Sequence, residues 1–267
     1  MGLDFVKSKE FFKEDYRPSE EEPFMNKDQI EYFRNKLLDW KKSILCESKD
    51  TIKGMKEETR NIPDVADRAS EETDRALELR TRDRQRKLIS KIDAENIKKD
   101  IITLSSFGTR HTLSDTLSNS RGIGAARRWI KKEFESISNN CANCLDVKYQ
   151  KNYFQANGRR LTRNVWINNV MAIQWGQKYP NRFVIMSGDI DSRVSDPNDF
   201  KSDSPGANDN ASGMAGTIEV ARVLSKYKFD NTIVYVGLSG EEQGLFGGKG
   251  LAEYAKENNW EIIGVLN

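Results

Sequence analysis

The chain has 267 residues, of which 31% are charged, and its mean hydropathy of -0.73 is low for one compact globule. A net charge of only +2 gives no reason to expect sequence-specific nucleic-acid binding. No apolar run approaches the roughly 18 residues that span a bilayer. The acidic N-terminal stretch lacks an apolar signal-peptide core, so we expect a cytoplasmic protein without membrane contact.

An arm at residues 1–25, which we expect to be flexible, precedes a region at residues 26–101 that is charged and nearly free of glycine. Its apolar residues recur at spacings of three and four, which is the pattern of a coiled-coil seam. The residues of this seam are Ile30, Phe33, Leu37, Trp40 and Ile44. The pattern predicts a long amphipathic helix.

A second helix is predicted after a break. Pro63 should end the first helix near Asn61, because a proline disfavours helix at the residue before it. Ser70, followed by two glutamates, is typical of a helix start, and the interleaved acidic and basic residues after it favour helix over residues 71–100. Together the two segments predict an antiparallel helical hairpin.

The motifs "PDVADRA" and "LELRTRDRQRKLI" are long and specific, and with "YRPSEEEPFMNKDQIEYFRNKLLDWKKSI" they resemble the DksA transcription factor family. The resemblance implies a coiled-coil hairpin over residues 26–95 that enters the secondary channel of RNA polymerase. It places the tip contacts on Asp64, Asp67 and Ala69. It places the family's basic stretch on Arg80, Arg82 and Arg84. The family's C-terminal globular region, which often carries a four-cysteine zinc finger, is absent from this sequence.

The remainder of the chain alternates strand and helix patterns, and one C-x-x-C lies in it. Strands are predicted at residues 145–155, 163–176, 182–188, 231–240 and 261–267, with helices at 124–138, 210–227 and 247–259. Cys141 and Cys144 lack the second pair of a zinc ribbon, which leaves structural thiols or a local disulfide against a redox or metal role. The last five elements read βαβαβ, so the fold class is α + α/β, with a hairpin followed by a three-layer domain on a mostly parallel sheet.

Acidic residues follow two of these strands, where parallel sheets place their ligand sites. They are Asp189 and Asp191 after "RFVIMSG", Glu241 and Glu242 after "NTIVYVGLSG", and Asp209 before the intervening helix. Five carboxylates at one edge repel one another unless some are protonated or a cation neutralises them. A divalent or dinuclear metal site is one interpretation. A helix-capping Asp209 with solvated loop acids is the other.

At these residues "SGDIDS", "PGANDNASG" and "LSGEEQGLFGGKGLAEYA" resemble the di-zinc exopeptidases of the bacterial leucyl aminopeptidase type. The likeness covers about residues 94–267, and it implies hydrolysis of peptide bonds by a metal-activated water. It assigns metal ligation to Asp189, Asp209 and Glu242. It makes Glu241 the general base and gives Asp191 the task of orienting a ligand.

The sequence departs from that family in ways that bear on activity. Asp189 stands where the family has histidine, and the family's later Asp and His ligands would lie past Asn267, so we expect a domain over residues 96–267 that is truncated at its C-terminus. The sole histidine, His111, is expected to be structural. An all-oxygen site should bind zinc poorly and accept Mn²⁺ or Mg²⁺, so we expect an inactive fragment.

Three functional hypotheses stay open at this point. The first is a metal-dependent exopeptidase that acts on peptides, although peptidases of this type are often exported. The second is a transcription regulator that binds RNA polymerase through the hairpin. The third is a misjoined or fragmentary reading frame with no function as a unit.

Overall fold

The computed structural model describes residues 16–17, 19, 22, 26–36, 38–39 and 65–267, with side chains from residue 76 onward in the last range. The chain divides into two compact units, Met1–Gln85 and Arg86–Asn267. The domain limits predicted from the sequence, at residues 25/26 and 95/96, stay a prediction. Within the described ranges, no helix has the length and apolar character needed to cross a bilayer.

The N-terminal region is helical, as predicted, at residues 27–36 and 38–39 and along α1, Val65–Ile89. Ile30 and Phe33 of the predicted seam are 49% and 44% exposed. The prediction that Ser70 starts the second helix is wrong, because α1 already begins at Val65 and Ser70 lies inside it. No glycine or proline between those positions interrupts the helix.

Several residues assigned from the sequence cannot be placed. The following lie outside the described residues: Leu37, Trp40, Ile44, Asn61, Pro63 and Asp64. Asp67 and Ala69 belong to α1, but their side chains are not among those described. The antiparallel pairing of the hairpin therefore stays a prediction.

The prediction of one helix over residues 71–100 is also wrong. The chain turns after Ile89, and α2 spans Ala94–Ser106. The side chain of Asp93 accepts a hydrogen bond from the Glu95 N–H at 2.9 Å, which is the geometry of an N-cap. The backbone N–H of Asp93 donates to the Glu219 carboxylate at 2.8 Å. The start of α2 is therefore stabilised by a residue 126 positions further along the chain.

The C-terminal unit contains a five-stranded sheet in the order β1-β2-β4-β3-β5. The strands are β1 Asp146–Phe154, β2 Val165–Gln174, β3 Tyr179–Asp189, β4 Asn231–Leu238 and β5 Glu261–Leu266. β3 pairs in parallel with β4 and β5, whereas β2 is antiparallel to both β1 and β4. The sheet is thus mixed rather than mostly parallel, because β1 and β2 form a hairpin whose second strand joins β4.

Helices cover both faces of the sheet, as predicted for three layers. They are α3 Gly122–Asn140, α4 Ser212–Leu224 and α5 Phe246–Glu257. Val170 and Ala172 of β2 pack in the core formed with α2, α3 and α4, and the alternate residues Met171 and Ile173 pack with Leu251 of α5. The predicted apolar face of α4 is buried at Met214, Ile218 and Ala221, and Leu224 is half-buried.

Two further features bear on the site. Cys141 and Cys144, directly after α3, form a disulfide, which is the local-disulfide alternative of the sequence analysis. β3 and β4 end side by side, with Asp189 in register with Leu238. The segments that follow these two strands therefore leave the sheet at the same edge, where the acidic residues were predicted to meet.

Candidate active site at the edge of the sheet

Asp191 is the most enclosed of the predicted acids, with 1% of its surface exposed. Its carboxylate accepts hydrogen bonds from the N–H groups of Gly240 at 2.8 Å, Glu241 at 3.1 Å and Glu242 at 3.2 Å. The Thr112 hydroxyl donates a fourth bond at 2.9 Å. Asp191 therefore fixes the backbone that carries Glu241 and Glu242.

The turn held by Asp191 needs glycine at its first residue. Gly240 has a φ of +81°, a conformation that glycine adopts without steric cost. Burial raises the pKa of Asp191 to about 6, against the hydrogen bonds from Thr112, Glu241 and Glu242, which lower it. The ionised carboxylate is the form that can accept all four bonds.

Asp189 and Asp209 lie near enough at the exit of β3 for the charge of Asp209 to act on Asp189. Asp189 is the last residue of that strand, is 8% exposed, and accepts a hydrogen bond from the Asn210 amide at 3.0 Å. Burial raises the pKa of Asp189, and the charges of Asp209 and Glu242 raise it further, while the Asn210 bond opposes the shift. Asp209 is exposed and has a non-helical backbone, with φ -115° and ψ 100°, in the segment Ala207–Ala211 before α4.

The two glutamates of the turn have different surroundings. Burial raises the pKa of Glu241, as do the charges of Glu242, Asp189 and Asp209. Glu242 instead forms an ion pair with Arg193, whose Nε lies 2.5 Å from its Oε2. The carbonyl oxygens of Val194 and Ser195 accept further hydrogen bonds from the Arg193 guanidinium. The structure thus leaves Glu241 in an anionic setting and gives Glu242 a cation from the protein itself.

The predicted ligands do not form a metal cage as they are arranged. Among the described residues, no three His, Cys, Asp or Glu side chains are placed to hold one metal ion. Glu242 is engaged by Arg193, and Asp189 by Asn210. The negative charges of these carboxylates accumulate at this edge and favour the binding of a cation. The present arrangement of side chains, however, does not fit a bound metal.

Arg110 is a buried residue that the sequence analysis did not identify. It is 0% exposed, and its guanidinium donates to the Ile190 carbonyl at 2.7 Å, between Asp189 and Asp191. It also donates to the carbonyls of Leu104 at 3.1 Å, Pro205 at 2.5 Å and Gly206 at 2.9 Å. Arg110 therefore joins the end of β3 to the loop that leads to Asp209. An isolated arginine in a Ser- and Thr-rich stretch was the only signal of this role.

His111, the neighbouring residue, has the surroundings of a structural histidine. It is fully buried, and its Nδ1 accepts the Leu113 N–H at 3.0 Å. Its Nε2 lies 3.0 Å from the Pro197 carbonyl and 2.9 Å from the Gln243 amide nitrogen. The Gln243 side-chain oxygen in turn lies 2.6 Å from the Thr112 hydroxyl, so this network supports the turn that Asp191 holds.

Comparison with known families divides the chain in two. Residues 169–267 match "Peptidase family M28", and residues 29–99 match "DnaK suppressor protein DksA, N-terminal domain". The chain joins segments similar to two families. We call them the M28-like segment and the DksA-like segment, and they confirm both resemblances drawn from the sequence.

Curated relatives follow the same division. A probable zinc metalloprotease of Pyrenophora teres f. teres is 43% identical over 185 residues, which are 69% of this chain and 38% of the relative. The RNA polymerase-binding transcription factor DksA of Caulobacter vibrioides is 70% identical over 81 residues, 30% of this chain and 57% of that factor. The chain thus spans well under half the length of the metalloprotease that it matches.

Solved structures show the same fold for the larger unit. LapA of Legionella pneumophila superposes with a TM-score of 0.50 at 19% identity, covering 67% of this chain and 44% of LapA. A glutaminyl cyclase of Fimbriiglobus ruber gives 0.50 at 19% identity, covering 65% and 60%. These likenesses establish the fold of the sheet and its helices.

Proposed function

We propose that residues 96–267 belong to a metallo-exopeptidase domain, and that the edge described above is the part of its active site that removes N-terminal residues from peptides. The carboxylates gathered after β3 and β4, within a segment that matches Peptidase family M28, carry this proposal. A cluster of acids also attracts the protonated amine at a peptide N-terminus.

Within this proposal Glu241 is the general base. It is half-exposed, so water and substrate can reach it, and its raised pKa brings it closer to that of an efficient base at neutral pH. Glu241 would accept the proton that the attacking water loses and then donate it to the departing amine. Asp191 would hold the Gly240–Glu242 backbone and thereby aim the Glu241 side chain.

Zinc is the first metal to test, because the curated relatives are named zinc metalloproteases. Ligation by Asp189, Asp209 and Glu242 would require Glu242 to leave Arg193. An oxygen-only ligand set also accepts Mn²⁺ and Mg²⁺. We therefore propose a site of low metal affinity in the present arrangement, and the two ions of the resembled family stay a prediction.

The test uses the full chain with aminoacyl reporter substrates and a titration of Zn²⁺, Mn²⁺ and Mg²⁺. In place of the inactive fragment expected from the sequence, we expect N-terminal release at high metal concentration, and a loss of at least about 100-fold in kcat in Glu241→Gln, the order of a general-base contribution. Glu253→Gln, on the exposed side of α5, is the matched control and should keep the wild-type rate. No cleavage at saturating metal, or equal rates in both variants, would contradict the proposal.

A second function is supported for the DksA-like segment. We propose that it binds RNA polymerase, since 81 residues are 70% identical to a factor that is named for that binding. Asp67→Asn should weaken capture of purified RNA polymerase, because the family resemblance places Asp67 at the hairpin tip. Asp83→Asn removes the same charge from the exposed surface of α1 and should bind like the wild type. Capture that is equal in all three proteins would exclude a tip contact.

A further inference from the structure

A surface cleft of about 520 Å³ lies beside the loop that supports Asp191. Leu113 lines the cleft, and its neighbour Thr112 makes the hydrogen bond to Asp191. The volume falls within the roughly 300–1,000 Å³ typical of ligand sites. The cleft is therefore large enough for two or three side chains of a bound peptide.

Two cations share one aromatic ring in this cleft. The guanidinium carbon of Arg163 lies 5.3 Å from the centre of the Phe200 ring, and the Lys201 ammonium lies 5.9 Å from it. Neither cation forms an ion pair with a carboxylate among the described residues. By contrast, Arg121, which also lines the cleft, is paired with Asp203. Arg163 and Lys201 thus place two positive charges against one ring, and an anion bound beside that ring would be attracted by both.

The one carboxylate that lines the cleft is outnumbered by three cations, those of Arg121, Arg163 and Lys201. Asp115 accepts hydrogen bonds from the backbone N–H groups of Leu117 and Ser118, at 2.6 and 3.1 Å. These bonds hold the pKa of Asp115 below its usual range and direct its carboxylate to its own turn. The lining therefore presents positive charge to a ligand.

The cleft is also apolar. Leu113 and Phe200 belong to a small core cluster with Leu161 and Ile167, and they give the cleft a firm floor. Leu117, at its rim, is 88% exposed, which is unusual for so large an apolar side chain. A ligand that covers Leu117 and neutralises Arg163 and Lys201 must combine apolar and negatively charged groups.

We propose that this cleft binds acidic peptide segments in which Asp or Glu alternates with apolar residues. The choice of a peptide over other anions rests on the proposed peptidase function. Carboxylate side chains supply the anion, and their apolar neighbours cover Leu117 and the Phe200 ring. The cleft would then favour acidic substrates by holding a part of the chain away from the bond that is cleaved.

Binding is measured on the full chain by fluorescence anisotropy in EDTA, with a labelled hexapeptide that alternates Leu and Glu and is blocked at both ends. A blocked peptide cannot be trimmed from its N-terminus, so the measurement does not depend on catalysis. We expect the Glu peptide to bind at least tenfold tighter than its Gln counterpart, and the difference to shrink in high salt. Lys201→Gln should weaken binding about fivefold, as an exposed ion pair would.

Lys201→Gln is the decisive variant because it leaves the Arg163–Leu113 hydrogen bond in place. Arg159→Gln removes a charge from the exposed loop that also carries Arg163, but Arg159 does not line the cleft, so it should bind within twofold of the wild type. Equal weakening by both variants, or equal binding of the Glu and Gln peptides, would overturn the proposal. So would a single-stranded oligonucleotide that binds more tightly and loses affinity in Lys201→Gln. If the blocked peptide binds but no reporter is cleaved in the presence of metal, the peptidase proposal fails and the peptide-binding proposal for the cleft is retained.

Discussion

Helix α1 and the sheet edge each contain a close ion pair, but the two pairs differ in how far apart their residues lie in the sequence. In α1, Glu78 and Arg82 lie one turn apart, 2.7 Å between charged atoms. At the sheet edge, Arg193 and Glu242 are 49 residues apart and 2.5 Å distant. The first pair needs only a helix, whereas the second needs the whole order of β3, α4 and β4.

The comparison extends to burial. Leu77 and Leu79 of α1 are 64% and 40% exposed, so packing adds little at these positions and local hydrogen bonds and charge spacing favour the helix. Arg110 and Asp191 at the sheet edge are almost fully enclosed. Polar groups without water must find every partner within the protein. Substitutions in these two regions should therefore differ in the size and the reach of their effects.

The largest effect is expected from Arg110→Met, which keeps the length of the side chain and removes its donors. Four backbone carbonyls would lose a donor, but those of Leu104 and Gly206 each keep a backbone N–H donor. The loss then falls on the carbonyls of Ile190 and Pro205, and each unsatisfied buried group costs about 1–3 kcal/mol. We expect the free energy of unfolding of the C-terminal unit, measured by urea titration, to fall by at least about 2 kcal/mol.

Two variants test whether that loss arises from the carbonyl network. Arg159→Met alters an exposed loop and should change the free energy of unfolding by less than about 0.5 kcal/mol. Arg110→Lys returns a charge and up to three donors and should recover part of the loss. A loss below about 1 kcal/mol in Arg110→Met would mean that the network is not what joins β3 to the Asp209 loop.

An intermediate effect is expected from Arg193→Gln, measured as metal affinity by calorimetry. The change removes the cation that engages Glu242 and leaves that carboxylate available to a metal. We expect Mn²⁺ to bind about tenfold more tightly, which corresponds to about 1.4 kcal/mol. The result would show that the ion pair, rather than a lack of acidic side chains, limits metal binding.

Arg160→Gln is the matched control for that measurement. Arg160 donates to the backbone carbonyl of Glu242 at 2.7 Å, so its removal lowers the local positive charge without freeing the carboxylate. It should raise the affinity by less than threefold. Equal gains in the two variants would indicate a general charge effect, and no gain in Arg193→Gln would exclude competition for Glu242.

The same difference in range explains what the sequence could predict. The strands of the C-terminal unit and its helices α3, α4 and α5 were predicted from the sequence pattern, and the acids at the ends of β3 and β4 followed from the rule for parallel sheets. The α1 segment was recognised as helix from its charge spacing. The break at Asp93 was missed, because the contact that supports it comes from Glu219.

Contacts within the site could not be predicted from spacing. Asp191 was identified from its place after a strand, and the resemblance gave it an orienting role, but its bonds to Gly240, Glu241 and Glu242 depend on how two loops meet. Arg193 lies two residues after Asp191, yet its partner Glu242 is set by the turn after β4. The antiparallel junction of β2 with β4 was missed for the same reason, since strand order follows from tertiary packing rather than local pattern.

The smallest effect is expected from Glu78→Gln in α1. Loss of one exposed pair within a helix costs about 0.3–0.5 kcal/mol, so amide exchange around residues 78–82 should quicken about twofold and the amides of β3 and β4 should not change. High salt should remove the difference, because screening already weakens the pair in the wild type. Glu253→Gln, an exposed acid in α5, should leave the α1 amides at their wild-type rate. If Glu78→Gln altered exchange in the sheet, α1 would depend on distant contacts as the sheet edge does, and the contrast between local and long-range specification would fail.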